Sequence, residues 1–205
     1  MGEKDTGTEQ DILGAAEEVF IKKGYAATKT TEIAKLAGIN HAMLHYYFRT
    51  KENLFNVVFQ KKVKLMADSF FLVAQEKKPF LEIVQMTVER HFDFIRGNSY
   101  LAIFIINEIN SNEKNSQVWR NIALPIFKNV IKTIDMMMKV EISKGTIRNI
   151  DAIDFILNII SLNIFVFAAQ PILKGLKNVS EEEYEKFLDN RKKENVRLAL
   201  LALQP

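Results

Sequence analysis

"AGINHAMLHYYFRTKENLF", Ala37 to Phe55, crowds two histidines and two tyrosines into a segment too short to make a core, and follows them at once with Arg49 and Lys51. Asn40 suits an N-cap, because its side-chain oxygen can accept a free backbone N–H of a first turn; the spacing predicts a helix from His41 to Phe48. Before it, a helix is expected at about Thr30 to Ala37, burying Ile33, Ala34 and Leu36 and stopping at Gly38. Two short helices joined by a glycine-containing turn form a helix-turn-helix unit.

In such a unit the second helix lies in the major groove of DNA, its amino-terminal residues touch base edges and flanking residues hold phosphates. That explains the composition of the stretch. Leu44 and Phe48, with Ile39, are expected in a small core, which leaves Asn40, His41, Ala42, Met43, His45 and Tyr46 facing outward. Ala42 permits close approach, Met43 matches a thymine methyl, and the polar side chains can donate to phosphates or bases. Of the two tyrosines, Tyr46 is expected to be exposed and Tyr47 structural. Thr50 caps the next helix, and Lys51 adds positive charge where free N–H groups already favour an anion.

The charge distribution agrees. The 205-residue chain carries a net charge of only +3. Residues 21–51, however, place Lys22, Lys23, Lys29, Lys35, Arg49 and Lys51 against Glu32 alone, whereas residues 1–20 are acidic. A local basic patch of this kind neutralises phosphates. Composition bounds the rest: 48% hydrophobic residues, four prolines and eight glycines, with apolar residues recurring at helical spacing, describe an all-α chain that folds. There is no cysteine, so disulfides and thiolate chemistry are excluded. The amino terminus lacks the apolar core of a signal peptide, and the most apolar run, Phe155 to Ala169, is interrupted by Asn158, Ser161 and Asn163. A cytoplasmic protein without a membrane span is expected.

Along the chain, Ile12, Ala16, Val19 and Phe20 give a first helix one apolar face, and Gly24 ends it. The helix that starts at Lys51 runs through Leu54, Val58 and Leu65 to about Ala74 and links a domain of residues 1–51 to one of residues 52–205. Pro79 suits the first turn of a fifth helix with Ile83, Val84, Val88, His91 and Ile95 inward; Tyr100 to Ile109 follows, then a loop, Ser111 to Gln117. Trp119 to Lys144 is helical, with Pro125 restarting or kinking it. Asp151 caps a helix ended near Pro171, and Ser180 with Glu183 forms a capping box for the last helix. Helices apolar on more than one face need a partner, most simply a second copy of the chain.

The segment Ile12 to Phe55 resembles the DNA-binding domain of the TetR family of ligand-responsive bacterial transcriptional regulators. The match includes Ala15-Ala16, Phe20, Gly24-Tyr25, Thr28, Ile33-Ala34, Ala37-Gly38, Leu44, Tyr46, Phe48, Lys51 and Leu54, in order and without a gap. The resemblance implies an all-helical homodimer, a three-helix reading head, a variable ligand-binding domain, and a four-helix dimer interface from the last two long helices of each subunit. It also implies that Lys29, Thr30, Asn40, His41, Ala42, Met43, His45, Tyr46 and Lys51 contact double-stranded operator DNA. Two departures stand out: His45 replaces the usual tyrosine, and Lys29 occupies the second helix's cap position, usually serine or threonine, leaving Thr28 or Thr30 to take over.

The function expected is a repressor released by a small hydrophobic or amphipathic ligand, with no cofactor and no catalysis; the alternative is an activator or nucleoid-associated protein without a ligand. Polar residues embedded in apolar helices suggest pocket anchors, so His91, Glu108, Asn158 and Asn163 are read with Phe92, Phe104, Phe127, Met137 and Phe165 as a ligand pocket, or else as core groups satisfied by one another or interface residues. Glu108 tilts the ligand towards a cation. Met136, Met137 and Met138 point in three directions, so at most two share a cavity. An enzyme would need His91 with Glu89, Asp93 or Glu108, and a metal site would need a third ligand beside His41 and His45.

Overall fold

A computed structural model describes residues 3–74, 77–111 and 119–205, and every regular element among the described residues is helical. In chain order these are α1 (Glu3–Ala27), α2 (Thr30–Leu36), α3 (His41–Phe48), α4 (Lys51–Ala74), α5 (Phe80–Gly97) and α6 (Ser99–Ser111). A π-helical turn, Trp119–Ala123, then runs into α7 (Leu124–Ser143), followed by α8 (Ala152–Ala168), α9 (Gln170–Lys177) and α10 (Glu181–Leu201). The chain forms two compact units. One holds α1 to α3, α4 as far as Lys64, and the described residues between Ile103 and Ala123; the other holds Leu65–Ala102 and Leu124–Pro205.

The first unit is built on the apolar face of α1. Ile12, Ala16 and Phe20 are fully buried there, with Ile33 and Ala34 of α2, Leu44 and Phe48 of α3, and Leu54, Phe55, Val58 and Phe59 of α4. Aromatic rings fill the space where α1 ends: Phe55 meets Phe20 at 5.2 Å, Tyr25 at 4.8 Å and Phe59 at 5.5 Å between centroids. Phe104 of α6 packs edge-on to Phe55 and Phe59. The buried ammonium of Lys62 on α4 is neutralised by Glu17 of α1, which holds those two helices in one relative position.

In the second unit α5 packs against α10 and α8. Its apolar face buries Ile83, Val84, Val88, His91, Phe92 and Ile95, as the helical period predicts. Asn163 of α8 donates through Nδ2 to Val88 O and to His91 Nδ1, both at 3.0 Å, and its Oδ1 accepts from Asn195 Nδ2 of α10 at 2.9 Å. His91 is therefore an acceptor at Nδ1, and burial pushes its pKa down to about 3. At the rim, Arg96 of α5 pairs with Glu185 and Asp189 of α10, and Asp93 with Lys192.

Local signals placed most boundaries. Asp151 accepts from Ile153 N and Asp154 N at the start of α8, and Ser180 with Glu183 makes the reciprocal capping box of α10. Four expectations are corrected. Leu36 is 50% exposed, because a seven-residue helix buries one short face and Ile33 with Ala34 fills it. Pro79 stands one residue ahead of α5, as its N-cap. Pro171 starts a helix, since its missing N–H is harmless in a first turn; α9 follows α8 across a bend of 65°. Ser111 ends α6, and the rest of the expected loop lies outside the described residues. Among the described residues no single helix is long and apolar enough to cross a membrane.

Candidate nucleic-acid interface

Asn40 Oδ1 accepts from Met43 N at 2.8 Å, so the first turn of α3 is closed by its own cap. Leu44 and Phe48 then point into the core with Ile39 half-buried, and one face of α3 is left open with Asn40, His41, Ala42, Met43, His45 and Tyr46 exposed. Tyr46 is 69% exposed, while Tyr47 is half-buried and stands edge-on to it. The helix presents a polar and aromatic surface fixed by two apolar anchors.

A second bond ties α3 to α2. Thr30 Oγ1 and His41 Nε2 lie 2.9 Å apart, which joins the start of α2 to the start of α3. Neither threonine takes over the cap role at α2: the Thr28 hydroxyl donates to Gly24 O at 2.7 Å, Thr30 faces His41, and Lys29 makes no side-chain cap bond. The amino terminus of α2 thus has no side-chain cap.

Lys29, Thr30, His41, His45 and Lys51 line one cleft of about 450 Å³, and Arg49 joins them. The charge pattern of the sequence places Arg49 in the basic patch, but the family resemblance does not include it among the DNA-contacting positions. Arg49 lies between α3 and α4 with φ 63° and ψ −54°, and Thr50 N donates across it to Phe48 O at 2.6 Å, a γ-turn that reverses the chain in one residue. The Thr50 hydroxyl then accepts from Asn53 N at 3.1 Å and opens α4. The ammonium of Lys51 sits 4.5 Å from the centre of the Tyr25 ring and donates to Ala26 O at 3.4 Å. Burial pulls its pKa down, and the charge of Glu108 opposes that. A second basic groove, between α1 and α2, is lined by Lys22, Lys23, Lys35 and the exposed Leu36 together with Glu18 and Glu32.

The residues read as a ligand pocket are dispersed. His91 and Phe92 are buried in the second unit, where His91 bonds Asn163. Asn158 and Phe165 lie on the exposed side of α8, Phe165 at 68% exposure, because α8 buries the opposite face through Phe155, Ile159, Asn163 and Val166. Phe127 is half-buried on α7. Met137 lines a narrow apolar cleft with Phe80, Ile83, Ile134, Phe155 and Ile159, while Met138 is in the core and Met136 is exposed. Phe104 and Glu108 belong to the first unit: Phe104 joins its aromatic cluster, and Glu108 Oε1 accepts from Tyr25 N at 2.7 Å. Glu89 is engaged by Gln85, and Asp93 by Lys192, so neither is assembled with His91 into a catalytic cluster.

Residues 12–58 match the family model for bacterial regulatory proteins of the tetR family. A fatty acid metabolism regulator protein of Bacillus subtilis is 26% identical over 137 residues, 67% of this chain and 69% of that protein. The regulator QacR of Staphylococcus aureus is 59% identical over 44 residues, 22% of this chain and 23% of that protein. Among solved structures, the transcriptional regulator FadR from Bacillus subtilis in complex with stearoyl-CoA aligns with a TM-score of 0.70 and 20% identity, over 96% of this chain and all of that one (100%). That likeness extends the shared fold from residues 12–58 to the whole helical chain.

Proposed function

Because the chain belongs to the TetR family of bacterial regulatory proteins, we propose that it is a repressor that binds a pseudo-palindromic operator as a homodimer and leaves it when a small amphipathic molecule binds. The observation that carries this reading is the exposed face of α3 beside the cleft of Lys29, His41, His45, Arg49 and Lys51, a base-reading helix flanked by phosphate-binding cations. Lys29, Thr30 and Lys51 hold phosphates, and Asn40, His41, Ala42, Met43, His45 and Tyr46 face bases and the adjacent backbone.

The dimer rests on α8. Ile153, Leu157 and Phe165, each at least half exposed, form a stripe at helical spacing on a helix whose other face is already buried. Two such stripes cover each other and set two reading heads about one helical turn of DNA apart, roughly 34 to 36 Å. The ligand belongs in the second unit. Its cleft among α5, α7 and α8 is wholly apolar apart from Thr87 and holds only about 20 Å³, so a ligand enters by parting the helices. The fatty acid regulator and the stearoyl-CoA complex among the similar proteins support a long acyl chain as that ligand. Displacement of α4, which begins in the first unit and continues in the second, carries the change to the reading head. The near-closure of the cleft favours a second reading, a DNA-binding protein that needs no ligand.

The test is selection of duplexes from a random-sequence library by the purified protein, then fluorescence anisotropy at two salt concentrations, then titration with stearoyl-CoA. Tight, salt-dependent binding to a selected inverted repeat, relieved by stearoyl-CoA, is the expected result. Binding that no acyl-CoA relieves supports the ligand-free reading. Failure to enrich any sequence sinks the regulator itself.

A further inference from the structure

Gly24 ends the regular part of α1 at φ 74° and ψ 170°, a conformation open essentially to glycine alone. The turn it makes removes the Tyr25 N–H from the helical hydrogen-bond ladder, and an N–H left without an acceptor in a part-buried place is unfavourable. Glu108 supplies the acceptor from 83 positions away: its Oε1 lies 2.7 Å from Tyr25 N. The same oxygen occupies the space beside Gly24, 3.0 Å from where a Cβ would stand. Glu108 is 5% exposed, so a carboxylate has been placed inside a reading head whose outer face must attract phosphates.

That placement has a consequence one residue on. The Tyr25 ring, braced edge-on by Phe55, lies under the ammonium of Lys51, and Ala26 O accepts from the same ammonium. Lys51 is thus held by a ring and a carbonyl belonging to the two residues directly after Gly24. Phe104, one helical turn before Glu108 on α6, fixes that helix by its contacts with Phe55 and Phe59. The charge of Glu108 also favours the protonated ammonium against the pull of burial.

We propose that Glu108 is a positioning residue for DNA binding, which fixes the 25–26 backbone and through it directs the Lys51 ammonium to a phosphate. This rests on the operator-binding reading above, and it moves Glu108 from the ligand pocket to the machinery of the reading head. Glu108 makes no contact with DNA; its effect passes through Lys51.

The experiment measures affinity and salt dependence for the library-selected duplex with wild type, Glu108→Ala, Glu108→Gln, Lys51→Ala and the Glu108→Ala, Lys51→Ala double variant. Lys51→Ala removes one phosphate contact from each subunit of the dimer, so it flattens the slope of log affinity against log salt by about 1.8, the share of two phosphates. Glu108→Ala should do the same and weaken binding roughly fivefold per subunit, about 25-fold for the dimer, as expected for loss of one ordinary hydrogen bond's worth of positioning in each. In the Lys51→Ala background it should cost nothing more. Glu108→Gln, whose amide oxygen still accepts from Tyr25 N, should restore the wild-type slope and affinity. A partly unfolded variant lowers the active fraction and leaves the slope alone, so the slope separates positioning from folding. An unchanged slope in Glu108→Ala, additive losses in the double variant, or a Glu108→Gln variant as weak as Glu108→Ala overturns the proposal. If Lys51→Ala itself leaves affinity and slope unchanged, the phosphate contact assigned to Lys51 fails as well, and if wild type enriches no duplex, the regulator reading fails with both.

Discussion

Glu108 Oε1 stands 3.0 Å from the position of a Cβ on Gly24, so the glycine's missing side chain is the space the carboxylate uses. The two residues are mutually required. Gly24→Ala faces both a backbone conformation that alanine rarely adopts and a clash with a buried carboxylate. The substitution should destabilise the protein by about 1 to 3 kcal/mol in urea unfolding. An alanine variant as stable as wild type would show that the end of α1 relaxes freely and that Glu108 is not held there.

The reading helix is closed by a single local device, the Asn40 side chain on Met43 N. Asn40→Ala should lower stability by about 1 kcal/mol, the ordinary worth of an N-cap. It should also weaken selected-duplex binding beyond what that loss of stability explains, because in the operator-binding proposal the first turn of α3 enters the groove. Asn40→Asp is the control. It keeps the cap while adding a negative charge at the phosphate-facing surface, so stability should hold and affinity should fall. Equal stability of wild type and Asn40→Ala would sink the capping claim.

His91 makes stability depend on pH in a definite direction. Its pKa in the folded protein is about 3, against an ordinary value of 6.5, because the ring is buried. The unfolded chain therefore takes up the proton first as pH falls. The contribution is complete above about pH 6.5 and is lost towards pH 3, at about 1.4 kcal/mol per pH unit. Between pH 7 and pH 5, wild type should lose about 2 kcal/mol more than His91→Gln. Parallel pH profiles for the two proteins would mean that the imidazole titrates normally.

How much of this was legible in the sequence follows from how far each signal reaches along the chain. The caps by Asn40, Asp151 and Ser180 each bond backbone two or three residues away, and sequence reading placed all three. Leu36, though exposed, is spaced from Ile33 as on an apolar stripe, and nothing local says that so short a helix runs out of core. His91 and Asn163 stood out as polar residues on apolar faces, but the bond between them joins positions 72 residues apart. Glu108 was harder still, since its partner is a backbone N–H freed by a glycine at the other end of the unit. Its side-chain chemistry suggested a cationic ligand, and only the tertiary structure supplies the amide that takes that place.

The α8 stripe gives the last prediction. Leu157 and Phe165 are 52% and 68% exposed, so replacing either with glutamate removes no core packing within one chain. If the stripe is the dimer interface, Leu157→Glu with Phe165→Glu places four carboxylates in an apolar contact in the dimer, where their desolvation is uncompensated. The doubly substituted chain should run as a folded monomer in sedimentation equilibrium, with thermal unfolding still cooperative. Each monomer would then engage one half-site, and loss of the second head's tethered binding should reduce affinity for the selected duplex by about 10² to 10⁴. Since α3 is untouched, half-site contacts remain, and a duplex carrying one half-site should bind the variant and wild type alike. A dimer that survives both glutamates would place the interface on another face of the second unit, with the exposed Ile172 and Leu176 of α9 the next to substitute.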